Sequence, residues 1–193
     1  MAESRARTSK KGAKKRRGMG IYMKNIITRK VTLPFRILGS NITETIQDKL
    51  SQMIEGHCEK EGYIKTASTS IVNYSAGCLN AENVSFTVCF ECLVCRPVEG
   101  MRFRVTIKNI TKAGIRAETR EIPSPVVVFI ARDHHFQNVH FSKLQIGEDI
   151  NIRVIGIRYE LNDNYIAIIA EFIPLRPKIK RKSVRIVIGE KET

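Results

Sequence analysis

The chain contains no tryptophan, and aromatic residues make up only 7% of its 193 positions. A core built from it must therefore be mostly aliphatic. Long apolar runs are also missing. A stretch such as Val126 to Ala131 is far too short to cross a bilayer, so no membrane helix is expected. The basic start is not followed by an apolar segment of signal-peptide type, and no secretory signal is expected. Five cysteines, an odd number without secretory context, favour reduced thiols inside a cell. Glycine-rich phosphate loops, nucleophile elbows and paired carboxylates are absent as patterns, so no catalytic residue and no cofactor is expected.

Acidic residues are scarce as well, and unevenly so. The formal charge is +14. Residues 1–18 carry 8 Lys/Arg and one Glu, and residues 174–193 carry 7 Lys/Arg and two Glu. The body between them is nearly neutral. The run Lys10-Lys11-Gly12-Ala13-Lys14-Lys15-Arg16-Arg17 has the composition of a phosphate-neutralising arm or a nuclear import signal; a solvated arm without a ligand is the alternative. Residues 1–19 lack apolar periodicity and are expected to be a disordered basic tail, with a second basic tail over 175–193.

What is present is alternation. Phe86, Val88, Phe90, Cys92 and Val94 share one face of a strand; Met101, Phe103, Val105 and Ile107 share one face of the next. Pro97, which cannot donate to a ladder, and Gly100 separate them. This break is expected to be the seam between an N-terminal domain over 20–97 and a C-terminal one over 98–174. Upstream, Ile21 to Leu33 has strand character. Asn41, Glu44 and Gly56 mark the start, first turn and stop of a helix with the stripe Ile42, Ile46, Leu50, Met53 and Ile54. Short strand-like pieces follow from His57 to Thr69, with Gly62 at a turn. Ser70 to Asn83 is a small-residue segment expected to form a loop; its Ile71, Val72 and Tyr74 either dock a partner or fold back on their own domain.

Beyond the seam, five strands are expected, over Met101–Ile110, Gly114–Thr119, Val126–Ala131, Ile150–Tyr159 and Tyr165–Phe172. A polar insertion at Arg132–Lys143 separates the third from the fourth. This pattern fits an OB-fold barrel, with a sandwich fragment as the other architecture. Cys89-x-x-Cys92-x-x-Cys95 has the look of a metal motif, but on a strand the outer pair lies about 20 Å apart and the middle thiol faces away, against metal–sulfur bonds of about 2.3 Å. Buried structural thiols are the reading taken. His134, His135 and His140 lack an obvious set of further donors, so no metal site is expected.

Cations dominate the polar face of the first barrel strand. Arg102, Arg104 and Lys108, then Lys112, Arg116 and Arg132, are candidate contacts for a single-stranded RNA backbone. Phe129, Phe136 and Phe141 are candidate stacking platforms, with Phe129 equally placed to be core.

The order IEGHCEKEGYI, a small-residue loop, FTVCFECLVCRPVEG, VTIKNITKAGIRAE, VFIARDH and INIRVIGIRY resembles the stalk subunit of multisubunit RNA polymerases, the seventh subunit of eukaryotic RNA polymerase II and its archaeal counterpart. The resemblance covers about Ile21 to Ile173. It implies an α+β chain in which a ribonucleoprotein-like N-terminal domain docks on the polymerase core and a five-stranded OB-fold follows. The implied core-docking segment is Ser70 to Asn83, with Ile71, Val72, Asn73, Tyr74 and Gly77. The implied hinge is Arg96-Pro97-x-x-Gly100. Implied partners are the polymerase core subunits, a second stalk subunit and nascent RNA; the implied location is the nucleus, or a viral factory or virion for a large-DNA-virus homologue. Where the family often has an aromatic after Gly114, this chain has Ile115-Arg116, which leaves charge as the main attraction for RNA at that point. A free-standing RNA-binding OB protein is the alternative function.

Overall fold

The computed structural model describes residues 20–39, 41–135 and 139–174. The two expected tails and Phe136 lie outside the described residues. The elements are β1 (Tyr22–Pro34), α1 (Ile42–Ile54), β2 (Cys58–Glu59), β3 (Gly62–Ile64), β4 (Ser70–Tyr74), β5 (Cys78–Asn80), β6 (Asn83–Cys95), β7 (Arg102–Ile110), β8 (Gly114–Glu118), β9 (Val126–Ala131), β10 (Asp149–Arg158) and β11 (Ile166–Ile173).

The architecture is α+β: a six-stranded sheet with one helix, then a closed five-stranded barrel of OB type. β6 is the axis of the sheet. One of its edges pairs with β1 over the full 13 residues, from Tyr22↔Cys95 to Pro34↔Asn83. Its other edge is filled in turn by β5, β4 and β3. This revises the loop expected over Ser70–Asn83. A strand as long as β6 leaves buried backbone donors and acceptors that require partners, and main-chain pairing supplies them from a segment with little apolar signal of its own.

Period-two alternation sends Val84, Phe86, Val88, Phe90, Cys92 and Val94 to one face, where Ile27, Val31 and Leu33 of β1 join them. α1 covers this face with Ile46, Leu50 and Ile54, all buried. Each fully buried aliphatic side chain contributes about 1.5–3 kcal/mol. The expected stripe is otherwise kept, except that Met53 is exposed and Ile42 only partly buried. At the helix start the Asn41 amide donates to the Glu44 carboxylate at 3.0 Å and makes no side-chain bond to the backbone, so a side chain–side chain contact stands where the expected box would have Asn41 cap a backbone N–H. Gly56 ends the helix at φ +77°.

The opposite parity places Cys95 on the other face. There it joins a row running Cys58–Tyr63–Cys95–Tyr22 across four strands. Cys58, Tyr63 and Cys95 are buried in the same apolar cluster as the barrel core. The sheet and barrel are further tied by Cys58 N–H to the Asp163 carbonyl at 2.8 Å, Asn162 N–H to the Cys58 carbonyl at 2.9 Å, and a Lys65–Glu121 ion pair at 3.3 Å. Gly62 permits the closest approach in this row, since a Cβ there would stand 2.4 Å from the Cys95 carbonyl oxygen.

The barrel closes in the order β10-β11-β9-β8-β7, with β9 and β11 parallel and the remaining pairs antiparallel. Its interior holds Phe103, Val105, Ile107, Ile115, Val128, Ile152 and Ile168 among others. Phe141 also turns inward and is buried, so it is a core residue and not the exposed platform considered from sequence. His135, from the polar insertion, stacks on Phe141 with ring centroids 4.9 Å apart, and its Nε2 accepts the Phe172 N–H at 3.1 Å. Burial lowers the His135 pKa below its ordinary 6.5, and the acceptor role requires the neutral ring. The unfolded chain then binds a proton more readily than the folded one. Stability contributed by His135 is complete above pH 6.5 and is lost as pH falls from there through the lower folded value. The expected result is a melting temperature that drops between pH 7.5 and 5.5, with a smaller drop in His135→Gln, measured by circular dichroism. Identical profiles for the two proteins would remove His135 from the account.

Candidate docking edge and nucleic-acid face

Two regions carry the expected functional residues, and they sit at different ends of the molecule. The first is the far end of the sheet. β6 runs 13 residues from the seam at Cys95 to Asn83, a span of about 40 Å. At that far end the chain exposes apolar side chains that contribute to no internal core. Phe35 (63% exposed) and Leu79 (67%) line one groove with Pro34, Arg36 and Glu82. Ile37 is exposed beside them in sequence.

The five residues expected to dock fare differently. Ile71 is partly buried against the helix-side core, so it serves its own fold first. Val72 falls in a bulge of β4, between Ile71 and Asn73, and is 59% exposed. Asn73 accepts the Tyr74 N–H at 2.8 Å. Tyr74 is half committed, with its hydroxyl 3.2 Å from Thr43 Oγ1 and its ring edge-on to Phe86. Gly77 is a packing requirement: a Cβ there would lie 2.6 Å from Val84 Cγ1.

Helix α1 positions this edge. Gln47 donates to the Thr69 carbonyl at 3.0 Å and accepts the Ile71 N–H at 3.2 Å. The Glu55 carboxylate accepts the Ala67 and Thr69 N–H groups at 2.8 and 3.1 Å, and the Thr69 hydroxyl as well. Phe35, Ile37 and Leu79 were not singled out from sequence. Their only local signal is an apolar residue beside Pro34 or inside a polar segment, which gives no direction to the side chain.

The second region is the outer wall of the barrel. Arg102 and Arg104 point outward from β7, alternating with buried Phe103 and Val105 as expected. Lys108 lies at the bulge between Ile107 and Asn109, exposed. Lys112 is exposed in the β7–β8 turn. Arg132 crosses to that same turn: its guanidinium donates to the Thr111 carbonyl at 3.2 Å and its backbone N–H to the Ala113 carbonyl at 3.0 Å. Arg116 stands on β8 beside Glu118, which it holds at 3.0 Å.

The pairing Arg116↔Phe129 and the parallel pairing Phe129↔Ile169 then put a 45% exposed ring next to the Arg116 position and an exposed isoleucine. Phe129 is therefore on the surface and not in the core. The third residue of an alternating strand Val127-Val128-Phe129 faces out only because Val128 and Ile130 take the interior. Arg116, Phe129, Ile169 and the glycine-bearing turn at Thr111–Gly114 line one groove. Arg116 thus stands beside Phe129, with Lys108, Lys112 and Arg132 on or beside the β7–β8 turn that borders the groove, whereas Arg102 and Arg104 stand at the opposite end of β7.

The thiols do not gather. Cys92 lies under the helix and Cys95 in the barrel-side cluster, while Cys89 is only partly buried. Burial pushes Cys95 and Cys58 up to about 12 and Cys92 up to about 11, which keeps these thiols protonated and poor as ligands or nucleophiles. No group of three or more His, Cys, Asp or Glu side chains among the described residues is placed to hold a metal ion. None of the described helices is long and apolar enough to cross a membrane.

No family model matches the chain. It is 25% identical over 154 residues to DNA-directed RNA polymerase II subunit RPB7 of Glycine max, covering 72% of this chain and 85% of that protein. It is 24% identical over 184 residues to a putative DNA-directed RNA polymerase subunit of Acanthamoeba polyphaga mimivirus, covering 84% and 87%. DNA-directed RNA polymerase II subunit 7 of Arabidopsis thaliana is 26% identical over 151 residues, covering 70% and 84%. Among solved structures, an uncharacterised protein of Methanocaldococcus jannaschii is similar at 20% identity and a TM-score of 0.34, over 42% of this chain and 99% of that one.

Proposed function

We propose that this chain, whose homologues are RNA polymerase II subunit RPB7 and a mimivirus RNA polymerase subunit, is a non-catalytic stalk subunit of a DNA-dependent RNA polymerase. The observation that carries the reading is coverage: the similarity runs through 70–84% of the chain, too much for the sheet or the barrel alone. The sheet docks on the polymerase core through its far end and the β4 edge, with Val72, Phe35 and Leu79 as the exposed apolar contacts and Ile71, Asn73, Tyr74 and Gly77 shaping the edge. The division between docking and RNA-contacting parts falls at Arg96–Gly100. The subunit works where its polymerase works, in the nucleus or in the factory or virion of a virus, and a second stalk subunit is the further partner.

The barrel contacts nascent RNA at the groove around Phe129. Single-strand sites on OB-folds pair a cationic track with aromatic platforms, each stacked base contributing about 1–3 kcal/mol. Lys108, Lys112, Arg116 and Arg132 form the track, and Phe129 is the platform. The test of the assembly is copurification of the tagged chain with the large polymerase subunits from native extract; elution alone would sink it. For the barrel, Phe129→Ala is expected to weaken binding of a labelled single-stranded RNA about tenfold or more, and Arg116→Gln to flatten its salt dependence. If Phe129→Ala binds as well as the unmodified chain, RNA does not use this groove.

A free-standing RNA-binding protein is the second reading. The exposed apolar end of the sheet favours the first, because a protein acting alone gains nothing from leaving Phe35 and Leu79 in water.

A further inference from the structure

The bulge in β7 breaks a parity, and the break delivers one side chain to the Phe129 groove. Phe103, Val105 and Ile107 face the barrel interior, so strict alternation would send Asn109 inward as the next of the series. The extra residue at Lys108 shifts the register: Ile107 pairs with Ala117, but Asn109 pairs with Arg116. Ile110 takes the inward place instead, paired with buried Ile115 and packed on the barrel cluster. Asn109 therefore stands on the outer wall, exposed. Bulges of this kind re-aim side chains beside functional sites.

The register continues across the wall. Asn109 pairs with Arg116, Arg116 with Phe129 and Phe129 with Ile169, so the four form one row on four adjacent strands. Two strand spacings, about 10 Å, lie between the backbones of Asn109 and Phe129, and both residues line the same groove. The polar side chains of that groove differ in what they have left to offer. The Thr111 hydroxyl is taken up by the Gly114 carbonyl at 3.0 Å and the Gly114 N–H at 3.2 Å. Arg116 gives a guanidinium nitrogen to Glu118 at 3.0 Å and carries donors only. Asn109 makes no side-chain hydrogen bond among the described residues, so its amide keeps an acceptor oxygen beside two donor hydrogens.

A free amide in one row with a stacking ring has the chemistry of a base reader. Adenine presents its N6 amino donor next to the N7 acceptor, the complement of an Asn side chain. Such a bidentate pair discriminates against a wrong base by about five- to a hundredfold. Guanine shows two acceptors at that edge, and a pyrimidine has no N7. The two-ring purine also reaches further from Phe129 across the Arg116 strand, which the separation of the two residues favours.

We propose that Asn109 makes the Phe129 groove selective for adenine within single-stranded RNA, the base stacking on Phe129 and its N6/N7 edge held by the Asn109 amide. This rests on the single-strand reading of the groove and adds a base identity to it.

The test uses the full chain and four labelled single-stranded RNAs of about ten nucleotides, by fluorescence anisotropy at one fixed salt concentration. One is all uracil; the others carry adenine, guanine or cytosine at a single central position. The adenine strand is expected to bind about tenfold tighter than the other three. Asn109→Ala is expected to remove that advantage and bring the adenine strand to the level of the all-uracil one, whereas Phe129→Ala weakens all four. Circular dichroism confirms that each variant is folded. An adenine preference that survives in Asn109→Ala overturns the assignment. A guanine preference overturns it too, because Arg116 would then be reading the base. Equal affinity for all four strands, with Phe129→Ala still weakening them, overturns base selectivity and leaves the single-strand groove standing. If no strand responds to Phe129→Ala, the groove reading falls and the adenine assignment with it, so the two failures are told apart.

Discussion

On the proposed docking, Val72→Asp combined with Leu79→Asp is expected to release the chain from the polymerase core while leaving it folded. Both side chains project from the sheet at more than half exposure, so neither is holding the fold together. An apolar side chain fully buried at an interface contributes about 1.5–3 kcal/mol, and charge placed in the same spot adds a desolvation cost. Two such replacements weaken association by at least about a hundredfold, at 1.4 kcal/mol per factor of ten. The measurement is pull-down of the large polymerase subunits with the tagged variant, alongside its melting curve. Ile71→Asp is the internal contrast. That side chain packs on the helix-side core, so the variant is expected to lose stability, which confuses release with unfolding. Retention of the polymerase by the folded Val72/Leu79 variant would place the docking surface elsewhere on the sheet.

The second large effect concerns the barrel. Gly114→Ala is expected to lower stability by about 3 kcal/mol, or the melting temperature by roughly 10 °C. A Cβ at this position would stand 2.2 Å from the Ile130 carbonyl oxygen and 3.2 Å from the Ala131 Cα. Both obstacles are backbone in the β8–β9 ladder at Gly114↔Ala131, so relief requires opening the barrel wall. Gly100→Ala is the matched comparison. It has a positive φ of +79°, but its added Cβ would meet nothing within 4 Å. Its cost is conformational only, about 1–2 kcal/mol. Denaturant unfolding of the two variants separates a steric cost from a conformational one, and equal midpoints would show that β8 and β9 do not approach so closely. Because Arg116 and Phe129 face each other across the same ladder, Gly114→Ala is also expected to weaken the single-strand binding proposed for that groove.

Much of this protein follows from local pattern. Alternation through Phe86–Val94 and Met101–Ile107 specifies two strands and which side chains turn inward, because a pleated strand has a period of two in any setting. The break at Cys95-Arg96-Pro97 specifies where one sheet stops, since Pro97 has no N–H for a ladder. The helix and its stop at Gly56 follow from apolar spacing and from the left-handed backbone that glycine accepts. The outward run Arg102, Arg104 and Lys108 is fixed in the same way, by parity alone.

What pairs with what is a different matter. Ser70–Asn83 becomes two strands because β6, which follows it, is long enough to require partners, a demand written in the residues of β6 and not in the composition of the segment itself. From sequence Phe129 was open between platform and core and Phe141 was a candidate platform; closure of the barrel exposed the first and buried the second, since a ring's surroundings are supplied by strands 13 or more residues away. Composition alone showed that the two basic extensions exist. That Ile21 and Ile173, far apart in the chain, line one groove with Arg102 and Arg104 was decided only when β11 paired with β10 and β10 with β7, because strand register brings together positions that no sequence distance connects.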